Sequence, residues 1–332
     1  MNKKRKAVVM LSGGLDSALS AYLMNEAGVE LTGVHFTSPF GSCVQKENAL
    51  RTAQRLGFKF QEIPMGKEFL NIVAEPRYGY GKNMNPCVDC RIYCLRLAKK
   101  VMRDENADFI VTGEVVGQRP MSQTRRKLTL TEKDAGVERL VLRPLSAGRL
   151  QKTIPQEKGW VGEDNLLSIS GRSRERQMKL AEKYGLSDSE YSSPAGGCKL
   201  TMKEYSEKLR DLIEHGCFRM KDVELLSRGR HFRLSPGCRL IVGKDQEENE
   251  FLDESAPPES VKIKAAREKG PLAILLGDCA RENILTAAGI CGRYSDADFG
   301  KKIDFEIIKG KKIEDYRGCR CFYPQEVDKF RV

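Results

Sequence analysis

Nowhere in the 332 residues do eighteen or more apolar residues follow one another, so no membrane-spanning helix is expected. Only three histidines occur, His35, His215 and His231, which argues against a histidine-rich metal centre. The Gly-Lys-Ser/Thr ending of the nucleotide-binding P-loop is missing, and no internal repeat is visible. Residues 1–6 are basic, but the apolar run behind them, residues 7–11, is too short for a signal-peptide core. A cytoplasmic enzyme with no membrane partner is expected. Against these absences stand eleven cysteines, which without secretory features point to metal or redox chemistry rather than a disulfide framework. A formal charge of +11 points to a polyanion such as nucleic acid, or to a solvated basic surface. The length leaves room for two domains and a small third piece.

The stretch Val8-Val9-Met10-Leu11-Ser12-Gly13-Gly14-Leu15-Asp16-Ser17 organises the rest. Residues 7–11 read as a buried parallel strand, and residues 18–27, rich in Ala, Leu and Met, read as a helix. Strand, small-residue turn and helix present unpaired N–H groups and a positive helix end to an anion. Gly13 and Gly14 let the backbone approach a phosphate, and Ser12 and Ser17 add hydroxyl donors. Asp16 repels a phosphate unless it helps hold Mg²⁺ or orients the loop. Residues 31–36, 58–63 and 108–113 read as further strands, and residues 47–56 as a helix closed by Gly57. This alternation argues an α/β fold with a doubly wound, mostly parallel sheet. Ligands of such sheets bind beyond the carboxyl ends of the strands, which puts residues 12–17, 34–36 and 112–118 on one rim.

In Asn85-Pro86-Cys87-Val88-Asp89-Cys90-Arg91-Ile92-Tyr93-Cys94, Asn85 reads as an N-cap and Pro86 as the first helical residue. The helix end is expected to favour the thiolates of Cys87 and Cys90. At about 100° per residue, positions 87, 90 and 94 fall within about 60° of one another, a platform for a soft metal. Cys198 follows Pro194-Ala195-Gly196-Gly197, a loop flexible enough to come close to the others.

Ser-Gly-Gly-Leu-Asp-Ser after a strand resembles the pyrophosphate loop (PP-loop) of the ATP pyrophosphatase superfamily, whose fold is adenine nucleotide alpha hydrolase-like. That resemblance implies ATP binding and transfer of AMP to an oxygen. Residues 112–123, with Thr112-Gly113-Glu114, Gly117-Gln118 and Ser122-Gln123, resemble the tRNA 4-thiouridine synthases. Arg143-Pro144-Leu145 and Gly171-Arg172-Ser173-Arg174 follow in similar order. Two cysteines two residues apart plus a distant third resemble the iron–sulfur-dependent tRNA thiouridine synthases. The likeness covers about residues 7–200 and implies Mg²⁺–ATP at Ser12, Gly13, Gly14, Asp16, Ser17, Thr112, Gly113 and Gln118. Val34, His35 and Phe36 would neighbour the adenine, although Val34 equally reads as core. A tRNA uridine oxygen would be adenylated. Cys87, Cys90 and Cys198 would hold a 4Fe–4S cluster with one open iron, making them catalytic together with Asp16. The sulfur would come from sulfide or from a sulfur-carrier protein or cysteine desulfurase.

Alternatives stay open: a zinc on Cys87, Cys90, Cys94 and Cys198, or a cluster-free persulfide pair of Cys90 and Cys198. Cys94 reads as a spare ligand, a sulfur relay or a buried apolar residue. A PP-loop ligase with structural zinc and a non-catalytic RNA-binding factor are the rival functions. Whether a 2-thio or a 4-thio group results, and whether the chain forms a homodimer, is not legible. The 4-thiouridine synthases usually carry a THUMP-type docking region before the loop, and here docking is expected to have moved to the C-terminal module.

That module is expected at residues 199–332, after a nucleotide domain of residues 1–198. Residues 201–215 read as an amphipathic helix, residues 229–234, 238–243 and 272–276 as strands, and the acidic residues 245–259 as a helix or loop giving way to a turn. Residues 238–252 and 287–297 resemble the RNA-binding domain of the NFACT family, implying a smaller α+β domain that contacts RNA. Arg230, His231, Arg233, Arg293 and Tyr294 are its candidate contacts, with Phe232 or Tyr294 either stacking on a base or lying in the core. In the first domain the basic run Arg119, Arg125, Arg126, Lys127, Arg139, Arg143 and Arg149 would meet tRNA phosphates. Cys319 and Cys321 read as a sulfur relay, an adventitious metal site or packing. The remaining cysteines read as packing.

Overall fold

The computed structural model describes residues 4–41, 43–191 and 197–332. The Pro194-Ala195-Gly196 stretch expected to be a flexible approach to the cysteines lies outside these. Contacts divide the chain after Met202 into two compact units.

The first unit runs β1 (Lys6–Met10), α1 (Leu15–Glu26), β2 (Glu30–Thr37), α2 (Cys43–Leu56), β3 (Lys59–Pro64), α3 (Gly66–Ala74), α4 (Cys87–Asp104), β4 (Phe109–Thr112), α5 (Arg125–Ala135), β5 (Val141–Leu142), α6 (Ile154–Glu157) and α7 (Glu175–Lys183). Its five strands lie in the order β3-β2-β1-β4-β5, every pair parallel. The chain steps outward from β1 through β2 to β3, then returns to lay β4 on the other side of β1. That reversal opens a crevice at the carboxyl ends of β1 and β4, where ligands of such sheets bind. The two strands are pinned at their other ends: the Lys6 amide donates to Asp108 Oδ2 at 3.0 Å, and the Asp108 amide donates to the Lys6 carbonyl at 2.8 Å. Val8 and Val9 are fully buried, as a central parallel strand requires. Helix α1 is buried almost all round, from Leu15 to Met24, which accounts for its Ala-, Leu- and Met-rich composition.

Two glycines allow the crevice to be tight. Gly13 has φ +72°, and a Cβ on it would sit 2.0 Å from the Gln45 carbonyl oxygen at the start of α2. A Cβ on Gly113 would fall 2.4 Å from the Asp16 carbonyl carbon. A buried ion network ties the crevice to α4. Arg91 Nε reaches Glu114 Oε1 at 3.0 Å, Arg143 Nε donates to Glu114 Oε2 at 3.0 Å, and Thr112 Oγ1 donates to the same oxygen at 3.1 Å. Arg143 also pairs with Glu132. Arg143, expected among the RNA contacts, is therefore an interior residue; its partners, Glu114 and Glu132, lie on other elements and are invisible in a local reading of a basic run.

Helix α4 starts one residue later than expected. Pro86 is its N-cap, with no side-chain cap. The Asn85 carbonyl accepts from Gly81 at 2.8 Å, and its side-chain oxygen accepts from the Cys87 thiol at 3.0 Å, so Asn85 closes a turn instead of capping the helix.

The second unit comprises α8 (Lys203–Glu214), α9 (Met220–Leu225), β6 (Arg230–Ser235), β7 (Cys238–Val242), α10 (Gln246–Ser255), β8 (Val261–Ala265), β9 (Ala273–Gly277), α11 (Arg281–Arg293), β10 (Lys302–Lys309), β11 (Lys312–Arg320) and α12 (Pro324–Asp328). Its six strands form an antiparallel sheet in the order β11-β10-β8-β9-β7-β6. The acidic stretch is the helix α10, capped by Asp245, whose carboxylate accepts from the Glu248 amide at 2.9 Å. Cys238, Cys291, Cys319 and Cys321 are buried in the sheet's core. Among the described residues no helix is long and apolar enough to cross a membrane.

Burial pushes the Glu114 carboxyl up, but Arg91 and Arg143 together hold it below its ordinary value of 4.5. A carboxylate depressed in this way stabilises the fold fully above the unfolded value and loses that contribution as pH falls through the folded one. Removing it also takes a partner from Arg91 and leaves Arg143 with Glu132 alone. Glu114→Ala is expected to destabilise the first unit by about 3–5 kcal/mol and to flatten its stability loss below pH 4.5. Denaturant unfolding at pH 7 and pH 4 measures both.

Candidate active site

Two adjoining cavities open at the crevice. One is lined by Ser12, Gly14, Asp16, Ser17, Gln118 and Arg174. The other, of about 280 Å³, runs from Ser12, Gly14, His35 and Phe36 to Cys87, Cys90, Cys94 and Cys198. Arg91 and Arg119 line both.

The loop after β1 is braced by its own serines. The Ser17 hydroxyl accepts from the Ser12 amide and hydroxyl, each at 3.1 Å, and donates to the Gly14 carbonyl at 2.8 Å. Gly13 lines neither cavity and faces α2. Val34 and Thr112 line neither as well: Val34 is fully buried, and Thr112 is buried with its hydroxyl on Glu114. These three positions shape the site from behind. His35 and Phe36 do reach the larger cavity. His35 Nδ1 lies 2.7 Å from the Leu11 carbonyl, and burial lowers its pKa, so the ring is neutral and donates there.

Asp16 sits inside the smaller cavity. Gln118 Nε2 donates to Asp16 Oδ2 at 2.7 Å, and Gln177 Nε2 donates to Gln118 Oε1 at 3.2 Å. Asp16 Oδ1 is buried without a hydrogen bond, and Arg174 stands 4.0 Å from it. Burial raises the Asp16 pKa, opposed by Gln118 and Arg174. An orphaned carboxylate oxygen beside a loop of N–H groups fits a Mg²⁺ ligand. Gln177 was not found from the sequence. It lies 59 residues from Gln118, and only the fold brings the two side chains together.

Cys87, Cys90, Cys94 and Cys198 line the same cavity. Backbone bonds carry Cys198 to its place: the Lys199 amide donates to the Phe40 carbonyl at 2.9 Å, and the Met84 amide to the Leu200 carbonyl at 3.2 Å. Asn83 Nδ2 donates to the Thr201 carbonyl at 2.7 Å. Asp89 accepts from the amides of Arg77 and Tyr78, each at 3.1 Å, fixing the loop before α4.

The expected thiolates are not found. Burial pushes the Cys87 thiol up and takes Cys198 up to about 12. Cys90 is raised because it donates to Cys94 and is buried, while Cys94 is lowered by accepting from it. The helix end is outweighed by desolvation. Among the described residues no three His, Cys, Asp or Glu side chains converge tightly enough to hold a metal as they stand. The donor set nevertheless suits a thiophilic cluster: among the described residues, four thiols and two arginines line one cavity, and no carboxylate does.

Of the expected RNA contacts in the first unit, Arg119, Arg125 and Arg126 are exposed. In the second unit His231 is buried, with Nε2 donating to the Arg228 carbonyl at 2.8 Å, and burial lowers its pKa well below the usual range. Arg233 is forked onto Asp211, its Nε 3.0 Å from Oδ1. These two hold the unit together and do not offer themselves to RNA. Arg230 lies 4.4 Å over the Tyr294 ring, and Arg331 donates to the Tyr294 hydroxyl at 3.1 Å. Phe232 is in the core.

Two family models match separate stretches of the chain. Residues 3–154 match the family model for the thiamine biosynthesis protein ThiI, and residues 229–331 match that for the NFACT protein RNA binding domain. The first unit is ThiI-like and the second NFACT-like. The tRNA-specific 2-thiouridylase MnmA of Geotalea uraniireducens (strain Rf4) is 26% identical over 266 residues, 73% of this chain and 68% of that enzyme. A probable tRNA sulfurtransferase of Alkaliphilus metalliredigens (strain QYMF) is 34% identical over 143 residues, 43% of this chain and 36% of its own. Among solved structures, the U34-tRNA thiolase NcsA from Methanococcus maripaludis with its 4Fe–4S cluster gives a TM-score of 0.33 at 15% identity, covering 67% of this chain and 72% of that one. The relatives found by sequence are thus tRNA-thiolation enzymes.

Since Cys198 shares a cavity with Cys87 and Cys90, a short bifunctional thiol reagent is expected to link it to one of them. Peptide mass spectrometry reads the link. Its absence from protein whose Cys87 and Cys198 are each singly labelled would refute the shared cavity.

Proposed function

We propose that the protein is an ATP-dependent tRNA sulfurtransferase that adenylates a uridine carbonyl oxygen and replaces it with sulfur. The observation that carries the reading is the cavity shared by the pyrophosphate-loop residues Ser12 and Gly14 and the thiols of Cys87, Cys90 and Cys198. An activated oxygen and a sulfur nucleophile must meet there within one base's reach.

On this reading, backbone N–H groups at the start of α1 receive the ATP phosphates. Asp16 Oδ1 holds Mg²⁺, Arg119 and Arg174 offset phosphate charge, and His35 and Phe36 bound the adenine side. The uridine oxygen attacks the α-phosphorus, the bond to the bridging oxygen breaks, and pyrophosphate leaves. AMP then departs far more readily than the bare oxygen would, and sulfur takes its place. Cys87, Cys90 and Cys198 would hold a 4Fe–4S cluster, whose fourth iron supplies a Lewis-acidic seat for sulfide. Arg91, set between the two cavities, supplies positive charge where the phosphate and the thiol ligands meet. Exposed Arg119, Arg125 and Arg126 grip tRNA phosphates, and the NFACT-like unit makes a second contact with the RNA. The sulfur reaches the site as sulfide or from a carrier.

A second reading has support in the thiols sharing a cavity without converging. In it, Cys90 takes a sulfane sulfur from a persulfide-bearing donor, that outer sulfur displaces AMP, and Cys198 attacks Cys90 to leave a disulfide that a thiol reductant reopens. One experiment separates the two. Protein reconstituted anaerobically with iron and sulfide, and protein left metal-free, are each incubated with tRNA, ATP and a sulfur source, and the digested nucleosides go to mass spectrometry. Thiouridine from the brown, reconstituted protein alone supports the cluster, and thiouridine from colourless protein supports the persulfide. Asp16→Ala and Cys87→Ser are expected to cut product at least about 100-fold on the first reading. Cys87→Ser is expected to be tolerated on the second. Chromatographic retention tells a 2-thio from a 4-thio product. ATP turnover with no thionucleoside in either arm would overturn both.

A further inference from the structure

The charge of the chain is not shared between its units. Residues 1–202 hold 32 Lys and Arg against 22 Asp and Glu, whereas residues 203–332 hold 25 against 24. The NFACT-like unit is close to neutral, so its net charge supplies no overall attraction for phosphate. Its candidate contacts point the same way. Arg233 is paired with Asp211, and His231 is buried.

Two of the large apolar side chains this unit exposes are aromatic rings that touch each other. Phe299 is 46% exposed and Tyr323 is 42% exposed, and their rings meet edge to face with centroids 6.4 Å apart. The Arg293 guanidinium lies 4.4 Å over the Phe299 ring and 5.3 Å from that of Tyr294. Tyr294 itself is taken up by Arg230 and Arg331 and leans on buried Phe232, 6.3 Å away. The pair of open rings is held in place. The Gly300 amide donates to the Cys321 carbonyl at 2.8 Å, and a Cβ on Gly300 would lie 2.6 Å from the Tyr323 hydroxyl. The Arg320 guanidinium is held on Glu326, which also accepts from the Tyr323 amide at 2.9 Å. Exposed Asp296 and Asp298 flank Phe299 in the same turn. They repel a phosphate or an acidic peptide but not the face of a base.

We infer that Phe299, Tyr323 and Arg293 form a stacking platform for an unpaired RNA base, and that the salt-sensitive phosphate grip belongs to the first unit. The inference rests on the reading that the substrate is an RNA. Rings and guanidinium planes stack on any base without needing net charge, and a fixed platform loses little entropy when it is used. The two units therefore bind by different physics. Phosphate contacts release counterions, with a slope of log K against log salt of about −0.7 to −0.9 per contact, and stacking adds affinity without adding to that slope.

The test uses the full chain and an unmodified tRNA transcript, with affinity measured by filter binding across a salt series. Phe299→Ala and Tyr323→Ala are each expected to weaken binding about tenfold and leave the salt slope unchanged. Arg125→Gln with Arg126→Gln is expected to reduce the magnitude of the slope by about 1–2. Phe299→Trp, which keeps a ring, should retain affinity, and its fluorescence should be quenched by tRNA and by a single-stranded oligonucleotide but not by a blunt duplex. Alanine variants that bind as tightly as the parent, a slope that falls with the rings, or an unquenched Trp would each overturn the platform. An intact chain that binds no tRNA would overturn both this inference and the sulfurtransferase reading. Unchanged binding by the ring variants alongside normal thiolation would overturn this one alone.

Discussion

One buried carboxylate, Glu114, joins the two halves of the site. It follows Gly113, whose missing Cβ lets the end of β4 press on Asp16, and it receives Arg91 from the cysteine helix and Arg143 from beyond β5. A charge network sunk this deep is weak evidence of stability, because well-packed apolar residues often serve as well. Its value here is positional. Arg91 lines both cavities, and no apolar residue could deliver a positive charge to that wall. Glu114 makes a buried guanidinium tolerable at that place. Nucleotide rim and thiol wall are thereby fixed relative to each other, as a reaction between their ligands demands.

The thiols show which of two effects wins. A helix N-terminus offers an anion about 0.3–1 kcal/mol, rising to about 2 in favourable buried geometry. Desolvation of a thiolate among Phe40, Phe69 and Leu200 opposes it, and the Cys87, Cys90 and Cys198 thiols are all raised. Thiols whose pKa burial raises are poor nucleophiles, and they lose their protons when a metal binds. That suits residues that wait for a cluster better than residues poised to attack, and it weighs against the persulfide alternative.

Much of the fold was legible because its signals are local. A short apolar run, two glycines and an Ala- and Leu-rich helix follow one another within 22 residues, and the structure realises them as β1, the loop and α1. What escaped depends on distant partners. Arg143 and Arg233 look like surface cations until Glu114, Glu132 and Asp211 are brought to them by the fold. His231 gives no sign in sequence that its strand faces inward. The strands β8 and β10 give weak sequence signals because Lys, Asp and Glu alternate with Ile, Val and Phe along them, and β11 buries only Cys319. Such segments look polar until their buried face is known. Thr112 and Gly13 were placed at the ligand by motif, and the structure sets them one layer behind it.

The uneven charge of the two units bears on how a large RNA would be held for chemistry at one base. Electrostatic attraction is long-ranged, tolerant of register and weakened by salt, so it gathers the substrate without choosing a nucleotide. Stacking is short-ranged and needs a base already out of its helix. On the sulfurtransferase reading, placing the first kind of contact on the first unit and the second on a neutral one would keep the positive field beside the loop after β1, where Arg91, Arg119 and Arg174 stand. The second unit then discriminates by shape. Had both units been basic, tight binding would have come with little preference among RNAs, because phosphate contacts carry no sequence or structural information of their own.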